Sequence, residues 1–168
     1  MSMEARGRLL LVEDENVLRG LVQEFLALER YDVEAAADGQ EAIDAYAERG
    51  PYDLVLMDLN LPRVPGVEAC RQIKRMNQRQ PVLVCSAAIL DSHAEALHQI
   101  GVHDTLTKPY HPSDLVGAVR RILAEPRPEA PTPQPSWRDH QGHAAAGPNA
   151  AGRLAAERPH GVDATPNR

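Results

Sequence analysis

The sequence predicts an α/β domain built on a parallel β-sheet, followed by a tail that lacks a packed core. Short aliphatic runs alternate five times with longer segments whose apolar residues recur at helical spacing, a pattern typical of a parallel sheet covered by helices. Apolar residues make up 43% of the 168 residues and aromatic residues only 4%, so aliphatic side chains must fill the core. The composition changes near Glu125, where prolines become frequent.

The first two strand–helix pairs lie in residues 8–48. Arg8–Glu13 (RLLLVE) is a continuous aliphatic run, as expected of a strand that is buried on both faces. Glu15–Glu29 is predicted to be a helix, because an apolar stripe recurs at helical spacing: Val17, Leu18, Leu21, Val22, Phe25, Leu26 and Leu28. Asp32–Ala36 is a second, short strand. Asp38–Glu48 follows as a helix, with Ala42, Ile43 and Tyr46 on one side.

Three more pairs complete the domain. The remaining strands are predicted at Leu54–Met57, Pro81–Cys85 and Asp104–Thr107. The remaining helices are predicted at Gly66–Met76, Asp91–Ile100 and Pro112–Leu123, the last with Leu115, Val119, Ile122 and Leu123 facing inward.

Charge and apolar runs limit the class of protein. The net charge of −6 lies in residues 1–124, because residues 125–168 carry equal numbers of basic and acidic side chains. An acidic domain is poorly suited to nucleic acid, since phosphate contacts supply most of that affinity. The chain has no run near the roughly 18 apolar residues of a membrane span and no apolar leader segment. We therefore expect a cytoplasmic protein that does not bind a membrane, with Cys70 and Cys85 as free thiols.

Residues 125–168 form a segment rich in proline and alanine. Its only large apolar residues are Trp137, Leu154 and Val162, too few to offset the entropy of ordering the chain. We therefore predict a folded domain over residues 1–124 and a disordered tail over 125–168. No helix-turn-helix or enzymatic output pattern follows residue 124, so we expect the protein to act through protein contacts.

Reactive side chains follow four of the predicted strands. Glu13 and Asp14 end the first strand, Asp58 follows the third, Ser86 the fourth, and Lys108 comes directly after the fifth. Because ligands bind at the carboxyl ends of parallel strands, we expect these side chains to converge at one edge of the sheet.

The expected cluster suits phosphoryl chemistry. Ionised carboxylates held together repel one another, and a hard divalent cation such as Mg2+ relieves that repulsion. A carboxylate beside such an ion can act as a nucleophile toward a phosphoryl group. The Lys108 ammonium and the Ser86 hydroxyl could then stabilise the phosphoryl oxygens.

Each residue alone also has an ordinary explanation. Asp14 could cap the helix that follows it, and Asp58 could be a turn residue. Ser86 could be a loop hydroxyl, and Lys108 could be solvated. Their common position at strand ends on one edge favours a functional site.

Four segments, LLLVEDE, LVLMDLNLPRVPG, VLVCSA and TLTKPY, resemble the motifs of response-regulator receiver domains of two-component signalling in order and spacing. The resemblance covers about residues 8–124 and is greatest to single-domain, chemotaxis-type regulators. It implies a flavodoxin-like, doubly wound sheet of strand order 2-1-3-4-5 with five helices.

The resemblance also implies roles for individual residues. Asp58 would accept a phosphoryl group from a histidine kinase or a phosphotransfer protein. Asp14 would bind Mg2+ directly and Glu13 through water, with Asp58 and the Asn60 backbone carbonyl as further ligands. Lys108 would pair with the phosphate.

The neighbours of these residues have implied roles as well. Ser86 stands where the family has threonine or serine, and Pro109 where the family proline follows a cis peptide bond. The implied partners are the phosphodonor and an unknown downstream protein target. A homodimer could form through the face of the fourth helix, fifth strand and fifth helix. The domain would be a switch and not a turnover enzyme.

The sequence departs from the family pattern at two positions. The usual aromatic residue three positions before the lysine is Thr105, which puts the standard aromatic switch in doubt. The usual acidic residue before Gly66 is Pro65. Two alternatives stay open: a receiver-like binding module that works without phosphorylation, and a haloacid-dehalogenase-like phosphatase. The phosphatase needs a second acid two residues after Asp58, where this chain has Asn60.

Overall fold

Five parallel strands and five helices alternate along residues 4–126, which are the residues that the computed structural model describes. The strands are β1 to β5 in chain order: Arg8–Val12, Asp32–Ala36, Leu54–Met57, Val82–Ser86 and Asp104–Thr107. The helices are α1 to α5: Asn16–Leu28, Gly39–Arg49, Gly66–Met76, Asp91–Gln99 and Pro112–Ala124. Apart from Glu125 and Pro126, the expected tail lies outside the described residues.

The strand order is β2-β1-β3-β4-β5, and every neighbouring pair is parallel. This confirms the flavodoxin-like fold. In this order the chain reverses its direction of winding between β1 and β3, so the carboxyl ends of these two strands flank a crevice. The register pairs Val12 with Met57 at that end of the sheet.

Each face of the sheet has its own core, because successive side chains of a strand point to opposite faces. In β1, Leu10 and Val12 pack with residues of α2, α3 and α4. Leu9 and Leu11 pack with residues of α1 and α5 on the other face. All five β1 residues except Arg8 are buried, which agrees with the continuous aliphatic run in the sequence.

The ends of several elements differ by one residue from the prediction. Strand β1 ends at Val12, and β4 runs from Val82 to Ser86, so the serine closes the strand. Helix α1 begins at Asn16 with Glu15 as its N-cap residue, and no side chain caps it. The interpretation of Asp14 as a helix cap therefore does not hold.

The apolar stripe of α1 is only partly covered. Val22 and Leu26 are buried, and Leu18 and Phe25 pack partly against the core. The other members are exposed: Val17, Leu21 and Leu28. The stripe is wider than the face that the sheet and α5 can cover, so periodicity identified the helix but not how much of it is buried.

None of the helices among residues 4–126 is both long enough and apolar enough to cross a membrane. Cys70 and Cys85 are both free thiols and both buried.

Candidate phosphoryl-acceptor site

The sheet brings the predicted reactive residues to one edge. Because Val12 pairs with Met57, the residues that follow them, Glu13 and Asp58, leave the sheet side by side. Ser86 pairs with Thr107, and the Lys108 amide donates to the Ser86 carbonyl at 3.0 Å.

Asp58 lies at the centre of the site, with 7% of its surface exposed. Its Oδ1 accepts a hydrogen bond from the Asn60 amide at 3.0 Å, and its Oδ2 accepts one from Lys108 Nζ at 2.6 Å. The carboxylate is therefore held in one orientation from both sides, which is the arrangement expected of a positioned nucleophile.

Lys108 joins two carboxylates that are far apart in sequence. Its Nζ donates to Asp58 and also to Glu13 Oε2, at 2.5 Å. Burial alone would lower the pKa of Lys108, but the hydrogen bonds and charges of Asp58 and Glu13 outweigh burial, so its pKa lies above the ordinary value. The side chain therefore stays cationic and can pair with an added anion.

Three carboxylates meet beside this lysine. Each of Glu13, Asp14 and Asp58 offers one oxygen, and these oxygens all lie within 4.8 Å of one another. An octahedral Mg2+ ion holds its ligands at about 2.1 Å, so oxygens on opposite sides of it are about 4.2 Å apart. The three carboxylates are therefore close enough together to share one hard divalent cation.

The two acids of the β1–α1 turn differ in environment. Glu13 is buried and already paired with Lys108, whereas Asp14 is exposed. The Asp14 carboxylate makes no hydrogen bond or ion pair within residues 4–126. It is thus the acid whose oxygens are most accessible to a cation arriving from solvent.

Arg19 supports this turn, a role that the sequence pattern did not indicate. Its Nη1 donates to the backbone carbonyls of Glu13 at 2.8 Å and Asp14 at 3.2 Å, and its Nη2 bonds to Asn16. The contacts run from the first turn of α1 back to the strand end. An arginine near a helix start is too common for the sequence to have indicated this role.

The remaining predicted residues lie at the same edge of the sheet. Ser86 is fully buried at the end of β4, and its hydroxyl donates to the Ala88 carbonyl at 3.4 Å. Asn60 is exposed in the loop that follows β3, and its amide donates to Asp58. The Lys108–Pro109 peptide bond is cis, as the resemblance implied.

Thr105 lies on β5, and its side chain is exposed. Its register partner on β4 is Val84. Position 105 has no aromatic ring, so an aromatic switch has no side chain to act through there.

Comparisons with known proteins agree with this geometry. The family model of the response regulator receiver domain matches residues 9–120. The chain is 36% identical over 125 residues to the alkaline phosphatase synthesis transcriptional regulatory protein SphR of Synechococcus elongatus, covering 70% of this chain and 49% of SphR. It is 34% identical over 122 residues to the response regulator MprA of Mycolicibacterium vanbaalenii, covering 73% of this chain and 52% of MprA. The chain thus spans about half the length of these relatives.

A solved structure of a similar domain supports the fold and contains a metal ion. The chain is similar to the receiver domain of the sensor histidine kinase PA1611 from Pseudomonas aeruginosa, which was solved with a magnesium ion in its active-site cleft. The identity is 33% and the TM-score 0.65, covering 72% of this chain and all of that domain. With the matching family model, the strand order and the acid cluster beside Lys108, the chain belongs to the response-regulator receiver domain family of two-component signalling.

Proposed function

We propose that the domain accepts a phosphoryl group on Asp58 in a Mg2+-dependent reaction and passes the signal on through protein contacts. One observation carries this proposal: the Asp58 carboxylate is bonded to the Asn60 amide on one oxygen and to Lys108 on the other, beside two further acids. If Lys108 served only a structural ion pair, one carboxylate beside it would be enough.

The proposed donor is a histidine kinase or a histidine phosphotransfer protein. An Asp58 oxygen forms a bond to phosphorus while the phosphorus–nitrogen bond to the donor imidazole breaks, with its electron pair leaving on the imidazole. Such transfers need little covalent chemistry from the protein, because positioning and charge neutralisation supply most of the catalysis. The domain thus catalyses its own phosphorylation, and later the hydrolysis of the phosphoryl group from Asp58.

The chain's own residues supply the neutralising groups. Lys108 keeps its charge and shifts from the Asp58 carboxylate to a phosphoryl oxygen. The Ser86 hydroxyl exchanges the Ala88 carbonyl for another phosphoryl oxygen. Asp14, Glu13, the Asp58 carboxylate and the Asn60 carbonyl are the groups that would hold Mg2+. When bound, the ion neutralises charge on the phosphoryl oxygens.

Two features support a switch over the alternatives. The position two residues after Asp58 is Asn60, whereas a haloacid-dehalogenase-like phosphatase would need an acid there. Lys108 bonds to both Asp58 and Glu13, and Asp14 offers an oxygen within 4.8 Å of theirs. A binding module that works without phosphorylation would have no use for this cluster. The excess of acidic side chains argues against direct nucleic-acid binding.

The test is intact mass after incubation with acetyl phosphate. Wild type should gain one phosphoryl group in Mg2+ and none in EDTA. Asp58→Asn should gain none, whereas Asp44→Asn, the same change at an exposed position of α2, should be labelled as wild type. Labelling of Asp58→Asn to the wild-type extent would move the acceptor elsewhere and refute the proposal.

A further inference from the structure

Arg63 lies in the loop between β3 and α3, outside the acid cluster, and its backbone is unusual. Its φ is +62°, in the left-handed region that residues other than glycine rarely adopt. Such a conformation costs free energy and persists only where surrounding contacts hold it.

Arg63 is held by two acids: its main partner is Asp38, and its Nη2 also lies 3.7 Å from Oε1 of Glu41, an exposed residue of α2. Nε of Arg63 donates to Asp38 Oδ2 at 2.7 Å, and Nη2 bonds to the same oxygen. Asp38 is 6% exposed, whereas the side chain of Arg63 is 56% exposed. The ion pair therefore joins a loop residue to a buried anchor.

Asp38 is itself fixed in place. Its Oδ1 caps α2 by accepting from the Gln40 amide at 2.8 Å and the Glu41 amide at 3.0 Å. Only Oδ2 is left for the loop. One carboxylate thus ties the start of α2 to the segment that follows the phosphoryl acceptor.

Close backbone approaches show how tightly the loop is packed. A Cβ added to Gly39 would lie 2.1 Å from the Val64 carbonyl oxygen, and one added to Gly66 would lie 2.0 Å from the Asp58 carbonyl oxygen. The Gly66 amide donates to the Leu59 carbonyl at 3.0 Å, which closes the loop on itself. A displacement at residue 63 must therefore move the peptide groups near Asp58.

We propose that Arg63 and Asp38 form a positioning pair that sets the Mg2+ affinity of the site without touching the ion. The pair holds the loop so that the Asn60 carbonyl and the Asn60 amide, which bonds to Asp58, keep the geometry that a metal needs. Outer contacts that orient metal ligands have this effect in other sites. The inference rests on the proposed function.

The sign of the effect separates positioning from simple electrostatics. Arg63 is a cation, so its removal should by charge alone strengthen the binding of another cation. Positioning predicts the opposite, because a loosened loop presents the Asn60 carbonyl poorly. A weaker Mg2+ affinity after loss of this positive charge therefore has a structural cause.

The experiment uses the full chain with Arg63→Met, Asp38→Asn and the double variant. Asparagine keeps the Oδ1 cap of α2 but loses the charged partner of Arg63. Arg71→Met is the matched control, since Arg71 pairs with Glu68 within α3 and carries the same charge. Calorimetry gives the Mg2+ dissociation constant of each variant. Acetyl phosphate labelling gives the Mg2+ concentration for half-maximal rate and the rate at saturation.

We expect about a tenfold weaker Mg2+ affinity in each single variant. The double variant should bind Mg2+ no more weakly than Arg63→Met alone, because replacing Arg63 already breaks its contact with Asp38. The labelling rate at saturating Mg2+ should stay within about twofold of wild type, and Arg71→Met should bind as wild type. Without metal, amide hydrogen exchange at Val64 and Gly66 should be faster in Arg63→Met than in wild type. The exchange rates of Arg63→Lys should lie between those of Arg63→Met and wild type.

If wild type binds Mg2+ and Arg63→Met binds it as tightly or more tightly, this inference would be overturned and the proposed function would still stand. Additive losses in the double variant would overturn it as well. If wild type itself bound no Mg2+, the proposed function would fail and this inference with it.

Discussion

Lys108→Met tests how much the lysine stabilises the metal-free site. Lys108 Nζ donates to Glu13 and Asp58, whose side chains are only 6% and 8% exposed. Methionine keeps the length of the side chain and removes the charge, so two buried carboxylates lose their shared counter-ion.

The magnitude follows from the two lost contacts. A hydrogen bond to a charged group contributes about 1.5–3 kcal/mol, and breaking a buried ion pair costs about 3–5 kcal/mol. Because Asp14 is exposed and water can reach the cluster, we take the lower end, about 3 kcal/mol. For a domain of this size that lowers the melting temperature by about 10 °C.

The assay is thermal unfolding followed by circular dichroism, with and without Mg2+. Mg2+ should raise the melting temperature of Lys108→Met by more than it raises that of wild type, because the ion replaces the missing counter-ion. Lys74→Met is the control: Lys74 donates to the Gln80 carbonyl outside the site, so its response to Mg2+ should match wild type. A metal-free melting temperature within about 3 °C of wild type for Lys108→Met would refute the reasoning.

Three further predictions address other parts of the domain. Asp14→Asn should weaken Mg2+ binding in calorimetry, because the most accessible carboxylate loses its charge; unchanged affinity would contradict its role as a direct ligand. Thr105→Ala should leave phosphorylation almost unchanged and lower the free energy of unfolding by less than about 0.5 kcal/mol, because the side chain is exposed. When wild type binds beryllofluoride, a mimic of the phosphoryl group, its amide chemical shifts should change most in the loop after Ser86 and in α4. Large changes centred on Thr105 would contradict this. Burial raises the pKa of the Cys70 and Cys85 thiols to about 12. Iodoacetamide at pH 8 should therefore modify both only after denaturation, and rapid modification of the folded protein would show that one is accessible.

Much of the site could be predicted from the sequence because parallel sheets place strand ends at one edge. The positions of Glu13, Asp58, Ser86 and Lys108 at those ends required only the strand assignments and the parallel direction. The pairing of Lys108 with both Glu13 and Asp58 could not be predicted, since it depends on which strands are neighbours and how they are registered.

The sequence by itself determined the order and type of all ten elements, the fold class and the edge where chemistry is concentrated. Local periodicity and strand composition carry that information, because each depends on residues close together in the chain. Tertiary structure alone decided which part of the α1 stripe is covered, leaving Val17, Leu21 and Leu28 exposed. It also decided that Arg63 reaches back to Asp38, 25 residues earlier. Contacts of this kind arise from packing between elements. The spacing of residues along one element does not indicate which residues of other elements will pack against it.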